Sequence, residues 1–258
     1  MVGEVTVDAV DVAARRRQMG EALQGWAGFP GAVHAVNDGS WMFLSGLPSP
    51  DVNLALVHGG DPGEFGQVVA TIADVGAPAL LMLTGNGLPF AEHVPSGWVH
   101  VGVMPFMIAD VASTLQRPDA RVRRAMADDH DALLGLWADA FEMLPENAEP
   151  IVQATVRDPE SGMGAWLLEQ DGVAVSTATT ARVGDAITVW SMATPERFTR
   201  RGYARALLAD AMARAAADGV RVGLLGATPA GKPLYDATGW TTLEDWQIFT
   251  NSESAQFH

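Results

Sequence analysis

The chain has 258 residues, 48% of them hydrophobic, enough to bury a substantial core in one large domain or two of ordinary size. Its 31 acidic residues outweigh 16 basic ones for a formal net charge of −15, which argues against a phosphate-neutralising nucleic-acid surface. Cysteine is absent, so disulfides, cysteine-ligated zinc and a cysteine nucleophile are excluded.

The opening MVGEVTVDAV has no positive n-region and no long apolar run, and so does not read as a secretory signal. Arg15-Arg16-Arg17 reads as a solvated helix face. Residues 40–44 and 52–58 are expected to be strands, 62–75 a helix, 79–83 a strand, 89–93 a short helix and 97–108 a strand region. None of these apolar stretches is long enough to span a bilayer. A soluble, cytoplasmic protein with no membrane partner is expected.

Gln116-Arg117-Pro118-Asp119 is the clearest break, dividing the chain into residues 1–117 and 118–258. Beyond it, Asp128 is a candidate helix N-cap, and Leu133, Leu134, Trp137 and Phe141 recur at helical spacing. A strand at 164–168, the turn Glu169-Gln170-Asp171-Gly172 and a return strand at 173–180 form a hairpin. A strand at 186–194 leads through a loop to a helix over 201–218. Its apolar stripe is Ala204, Leu207, Leu208, Ala211, Met212 and Ala215, and Gly219 ends it. A strand at 220–227, a short helix at 230–238 and a strand at 244–250 complete the series. The alternation of helices and strands points to an α/β or α+β fold. The first half follows a fainter version of the same order, which suggests a degenerate internal duplication carried by the order of elements, not by matching residues.

The chemistry concentrates in the run from Met192, Ala193 and Thr194 through Arg200, Arg201, Gly202, Tyr203, Ala204 and Arg205. There a strand ends, a basic loop follows and a helix begins. The first turn of a helix presents unpaired N–H groups and the positive end of its dipole, which together suit a diphosphate. Gly202 lets the backbone approach phosphates, Ala204 keeps that approach open, and Arg200 and Arg201 add charge. A plain strand-to-helix turn is the alternative.

This stretch resembles the Gcn5-related N-acetyltransferase (GNAT) family, whose acetyl-CoA diphosphate loop has the pattern (Gln/Arg)-x-x-Gly-x-(Gly/Ala). Here the pattern falls on Thr199-Arg200-Arg201-Gly202-Tyr203-Ala204, with Thr199 departing at the first position. Pro233-Leu234-Tyr235-Asp236-Ala237-Thr238-Gly239-Trp240 is similar to the family's late LY…GF segment, with Trp for Phe. Thr228 stands about where many members carry asparagine.

The resemblance covers residues 122–250. It implies an α+β GNAT-like acyltransferase fold, with a degenerate N-terminal domain and an intact C-terminal one. It implies acetyl-CoA as co-substrate, bound by the 192–194 strand end and the 200–205 loop. The acceptor would be a small-molecule or peptide amine. Tyr235 would be the general acid protonating the departing thiolate; a core tyrosine with a satisfied hydroxyl is its alternative reading. Transfer would be direct, within a ternary complex. A non-catalytic acyl-CoA-binding or partner-binding protein of the same fold is the rival.

No base stands on the 186–194 strand. Glu142 and Glu244 are candidates by placement, and Phe141, Trp190 and Trp246 are candidate acceptor-lining residues alongside Glu142. The first half would shape acceptor specificity, act as a structural partner or supply a homodimer surface; these alternatives stay open. Two further motifs are set aside. Residues 226–232 match most of a nucleotide P-loop, but Pro233 stands where Ser or Thr would hold magnesium. The six histidines show no metal-ligand spacing, so no metal is expected.

Overall fold

A computed structural model describes residues 10–141, 143–157 and 162–252. In chain order the elements are α1 (Val12–Ala22), β1 (Val33–Val36), β2 (Ser40–Leu44), β3 (Asn53–Val57), α2 (Pro62–Val75), β4 (Leu80–Leu83) and β5 (Val99–Asp110). They continue with β6 (Val122–Arg124), α3 (His130–Ala140), α4 (Pro145–Arg157), β7 (Met163–Gln170), β8 (Val173–Val183) and β9 (Ala186–Ala193). The series ends with α5 (Tyr203–Ala217), β10 (Val222–Gly226), α6 (Lys232–Asp236) and β11 (Thr241–Thr250). The fold is mixed α+β, as expected. The expected helix at 62–75 matches α2 residue for residue, capped by Asp61 at its start and by Gly76 with φ 69° at its end. At α3 the cap differs from the expectation. Residues 127–129 form a 3-10 turn, and the carboxylate of Asp129, not Asp128, accepts from the Met126 N–H and from Arg123.

Among the described residues eleven strands form one sheet, in the order β1-β2-β3-β4-β11-β5-β10-β9-β8-β7-β6. Apart from the added edge strand β6, this order is palindromic in role. The first half runs α1-β1-β2-β3-α2-β4-β5 and the second α4-β7-β8-β9-α5-β10-α6-β11. In each half a parallel pair follows the crossover helix: β3 with β4, and β9 with β10. The last strands are exchanged. β5 pairs with β10 of the second half, and β11 pairs with β4 of the first. β5 and β11 then pair antiparallel with each other along nearly their whole length, with two register shifts. The division at 117/118 falls in the connection between β5 and β6, but the sheet runs on across it.

One face of the sheet carries α1, α3 and α4 over a core that includes Met19, Leu23, Trp26, Phe43, Trp137, Ile151 and Trp246. On the other face α2 covers the first half with Phe65, Val68 and Ile72, while α5 covers the second with Leu207, Leu208 and Met212. At the seam Trp246 stacks on Phe106 at 4.7 Å between ring centres and meets Trp41 edge-on at 6.1 Å. Burying aromatics of this size contributes on the order of 2–3 kcal/mol each.

The arginine run near the start is not a solvated face. Arg15 donates to Asp185 at 2.7 Å, and Arg16 forms a two-pronged ion pair with Glu244, so only Arg17 points into solvent. The cause is tertiary: α1 lies across β8, β9 and β10 and brings these side chains onto second-half carboxylates.

Candidate active site

The two parallel pairs differ where it matters. β9 pairs with β10 only through Val222–Leu224, opposite Ala186–Thr188, and then the strands part. β9 continues to Ala193 bonded to β8 alone, while Leu225 and Gly226 of β10 pair with β5. Beyond Thr188 the edge of β9 that faced β10 has no strand partner among the described residues. A bulge sets Ser191 at φ 45°, placing Ser191 and Met192 between the paired residues Trp190 and Ala193. The end of β9 is tied down by Ser176, whose hydroxyl lies 2.8 Å from that of Thr194 and 3.1 Å from the Ala193 carbonyl.

The loop that follows leads into α5 through Arg200 at φ 62° and Gly202 at φ 81°. Holding a non-glycine residue in this left-handed region costs on the order of 1–2 kcal/mol, which the local structure must offset. Gly202 is the N-cap of α5 and no side chain caps it. The first turn of α5 holds no acidic residue, and a β-carbon at Gly202 would meet nothing within 4 Å. The cradle is therefore open, positively polarised and flanked by two arginines that make no ion pair among the described residues.

Tyr235 stands on α6, buried at 7% exposure. Its hydroxyl reaches the Met192 sulfur at 3.7 Å, and its ring lies 5.9 Å from that of Trp240. It has no oxygen or nitrogen partner among the described residues. Burial pushes its pKa up to about 12, so the phenol keeps its proton. Sequence reading put Tyr235, Met192 and Gly202 in one site; the fold brings the Tyr235 hydroxyl to the Met192 sulfur. Thr228 is taken up locally: its hydroxyl accepts the Gly231 N–H at 3.2 Å. Lys232, from the P-loop look-alike, pairs with Asp236 at 2.8 Å.

The equivalent junction in the first half is shut. β3 stays paired with β4 to its last residue, Val57 with Leu83, and the Thr84 N–H extends the pairing to the Val57 carbonyl. A β-carbon at Gly87 would fall 2.4 Å from that same carbonyl, so the turn after β4 packs directly on the end of β3. The start of α2 is filled by its own chain. Asp61 accepts the Gly63 N–H at 2.9 Å, and Pro62 supplies no N–H. Glu64 accepts from Ser40 Oγ at 2.5 Å and from the Gly39 N–H at 3.2 Å. Negative charge built into a helix start repels a phosphate. The signal was present in the sequence: acids open α2 and none opens α5.

The remaining candidates separate. Trp190 meets Trp26 edge-on at 6.4 Å, so the first half contributes a wall beside β9. Phe141 sits at the end of α3, about one-third exposed, 6.5 Å from Trp137. Trp246 is in the core at 1% exposure. Glu142 lies outside the described residues. Glu244 is engaged three ways, with Arg16, with Trp246 Nε1 at 2.7 Å and with Thr84 Oγ1 at 3.0 Å. Burial works to raise its pKa, but these donors outweigh it and hold the carboxyl below its usual range. A carboxylate so satisfied is a poor proton acceptor. Beside it His58 is held neutral, first by burial and then by the Arg16 charge. Among the described residues no cluster of His, Asp and Glu suits a metal. No described helix is long and apolar enough to cross a membrane.

Residues 130–239 match the sequence model of the acetyltransferase (GNAT) family. The C-terminal half carries a GNAT domain. The GNAT fold extends beyond that match. A GCN5-related N-acetyltransferase from Kribbella flavida is similar over 94% of this chain and 96% of its own, with TM-score 0.63 and 21% identity. A GCN5-related N-acetyltransferase from Sphaerobacter thermophilus is similar over 98% and 96%, with TM-score 0.56 and 15% identity. A functionally unknown conserved protein from Staphylococcus epidermidis is similar over 87% and 95%, with TM-score 0.61 and 11% identity. At such identities the likeness concerns the fold. No curated protein matches the chain. The GNAT domain's residues 130–239 contain β9, the loop, α5, β10 and Tyr235, so the family match and the open junction coincide.

Proposed function

We propose that this chain is an acetyl-CoA-dependent N-acetyltransferase, with residues 118–258 as the catalytic unit and residues 1–117 as a degenerate copy that has lost its ligand site. One observation carries the reading: of two strand-to-helix junctions with the same topology, only the one at Gly202 is parted, uncapped and free of acid. The backbone N–H groups at Gly202 and along the first turn of α5 bind the diphosphate, helped by Arg200 and Arg201. The exposed edge of β9 from Met192 to Thr194 pairs with the pantetheine amides and aims the thioester at Tyr235.

An amine nitrogen attacks the thioester carbonyl. The new C–N bond forms, the C–S bond breaks, and the amine proton leaves to water. The Tyr235 phenol donates its proton to the sulfur, and solvent restores it. Burial keeps the phenol protonated and so available as a donor, while making it a weaker acid than a free phenol. Proximity of two bound reactants supplies much of the rate gain. The acceptor is an amine that approaches from the face carrying Trp190 and Trp26.

The loop is tested by Gly202→Asp. Placing a carboxylate against the diphosphate should abolish thermal stabilisation by CoA, and stabilisation that survives would remove the loop from the site. The second reading is a non-catalytic acyl-CoA-binding protein, favoured by the engagement of Glu244 in an ion pair. Thiol release from acetyl-CoA with a panel of amines separates the two readings. Binding with no turnover on any amine would favour the second.

A further inference from the structure

A second cavity, of about 230 Å³, opens on the outer side of the same helix start. Its floor is one face of α5, from Gly202 through Arg205 and Ala206, and its far wall is the connection that crosses from β5 to β6, with Arg117, Asp119 and Arg121. That connection is fastened to α5. The Arg117 N–H donates to the Ala209 carbonyl at 3.2 Å, and the Asp119 N–H donates to Asp210 at 3.0 Å. Asp210 is itself buried and paired with Arg214 at 2.6 Å, so the wall is fixed to the helix. Arg121 is oriented by Asp119 at 2.6 Å and by Gln170 at 3.0 Å.

Arginines without a carboxylate partner gather at this helix start and cavity. The chain has only 16 basic residues against 31 acidic ones, and most of its cations are paired. Six arginines make no ion pair with a carboxylate among the described residues; Arg124 and Arg182 line a different cavity, and Arg117, Arg200, Arg201 and Arg205 belong to this helix start or its facing wall. A diphosphate at Gly202 needs the helix amides and the two loop arginines. Arg117 and Arg205 remain, facing a cavity that begins at Gly202 itself. Unpaired arginines gathered in an acidic protein mark a place for a further anion.

We propose that this cavity holds the nucleotide end of the donor and that Arg117 and Arg205 clasp its ribose phosphate monoester, so that the protein selects CoA over dephospho-CoA. The inference rests on the acetyl-CoA reading and extends it to specificity. It also assigns work to the connection between the halves: a segment outside the matched residues 130–239 completes the donor site.

The test measures affinity by calorimetry for CoA and for dephospho-CoA, with wild type, Arg117→Gln/Arg205→Gln and the remote control Arg182→Gln. Wild type and the control should prefer CoA by at least about tenfold, the value of one lost charge-assisted contact. The double variant should lose most of that preference, through weaker CoA binding with dephospho-CoA affinity unchanged. Equal wild-type affinities, or a preference that survives in the double variant, would overturn the proposal and leave the diphosphate loop standing. Failure of wild type to bind either compound would overturn the acetyl-CoA reading with it.

Discussion

Replacing Arg16 with methionine should destabilise the whole protein while leaving the candidate donor site untouched. Arg16 and Glu244 join the first helix to the last strand, and their side chains are 14% and 15% exposed. Methionine keeps most of the packing but strands the carboxylate with only Thr84 and Trp246 as donors. Removing one partner of a fully buried pair costs about 3–5 kcal/mol, and of an exposed pair about 0–1 kcal/mol. With this burial and two donors remaining, the loss should be about 2–3 kcal/mol, or a fall in Tm of about 4–12 °C for a chain of this size.

Glu244→Gln on its own leaves Arg16 unpaired and should also destabilise. The double variant Arg16→Met/Glu244→Gln carries no buried charge and should recover much of the loss, with a coupling of at least about 1 kcal/mol. Because the Glu244 pKa is depressed by folding, the pair's contribution is present above the ordinary carboxylate range. It disappears as pH falls through the folded value, so the gap between wild type and Arg16→Met should narrow as pH falls below the ordinary carboxylate range. Denaturant unfolding at pH 7 and pH 3.5 measures both quantities. A loss under about 0.5 kcal/mol at pH 7, or a strictly additive double variant, would mean that the pair behaves as a surface contact and that the halves are held by apolar packing alone.

Other outcomes follow from the site and the sheet. Tyr235→Phe should lower kcat about 10²–10⁴-fold and leave CoA affinity unchanged, and equal turnover would remove the acid role. With its phenol pushed up to about 12, wild type should show no tyrosine-dependent loss of rate near pH 10; a limb there that vanishes in the Phe variant would contradict the buried geometry. Calorimetry should give one CoA per chain. Glu64→Gln should not create a second site, because β3 and β4 remain paired there, and two sites per chain would refute the account of the closed junction. Residues 118–258 expressed alone should not give a stable monomer, since β10 and β11 would lose β5 and β4 together; a cooperatively folding fragment would show that the exchange is dispensable.

Most elements were legible in the sequence because period and punctuation are local. Asp61 and Gly76 mark both ends of α2, and the alternation around Glu169-Gln170-Asp171-Gly172 marks a hairpin. Two elements escaped. β1 is four half-buried residues, and α4 contains Pro150, which breaks the helical pattern. The loop and Tyr235 stood out in the sequence because the chemistry proposed for them depends on residue type. Pairing did not. An apolar run such as that of β11 records that it is buried, not which strand lies beside it. Likewise Arg16 read as solvated and Glu244 as a candidate base, since the pair they form joins positions more than two hundred residues apart. The candidate base Glu244 failed for this reason, and Trp246 went to the core with it.

The exchange of β5 and β11 has a consequence for synthesis. Leu83 finds its neighbour Gln247 only after about 160 further residues have been made, which at ribosomal rates of about 5–20 per second means a delay of roughly 10–30 seconds. Throughout that interval β4 and β5 emerge as bare apolar edges, ready to pair with a strand from any nascent neighbour. A protein wired in this way depends on how crowded its polysome is, and slowing translation should raise, not lower, its tendency to aggregate.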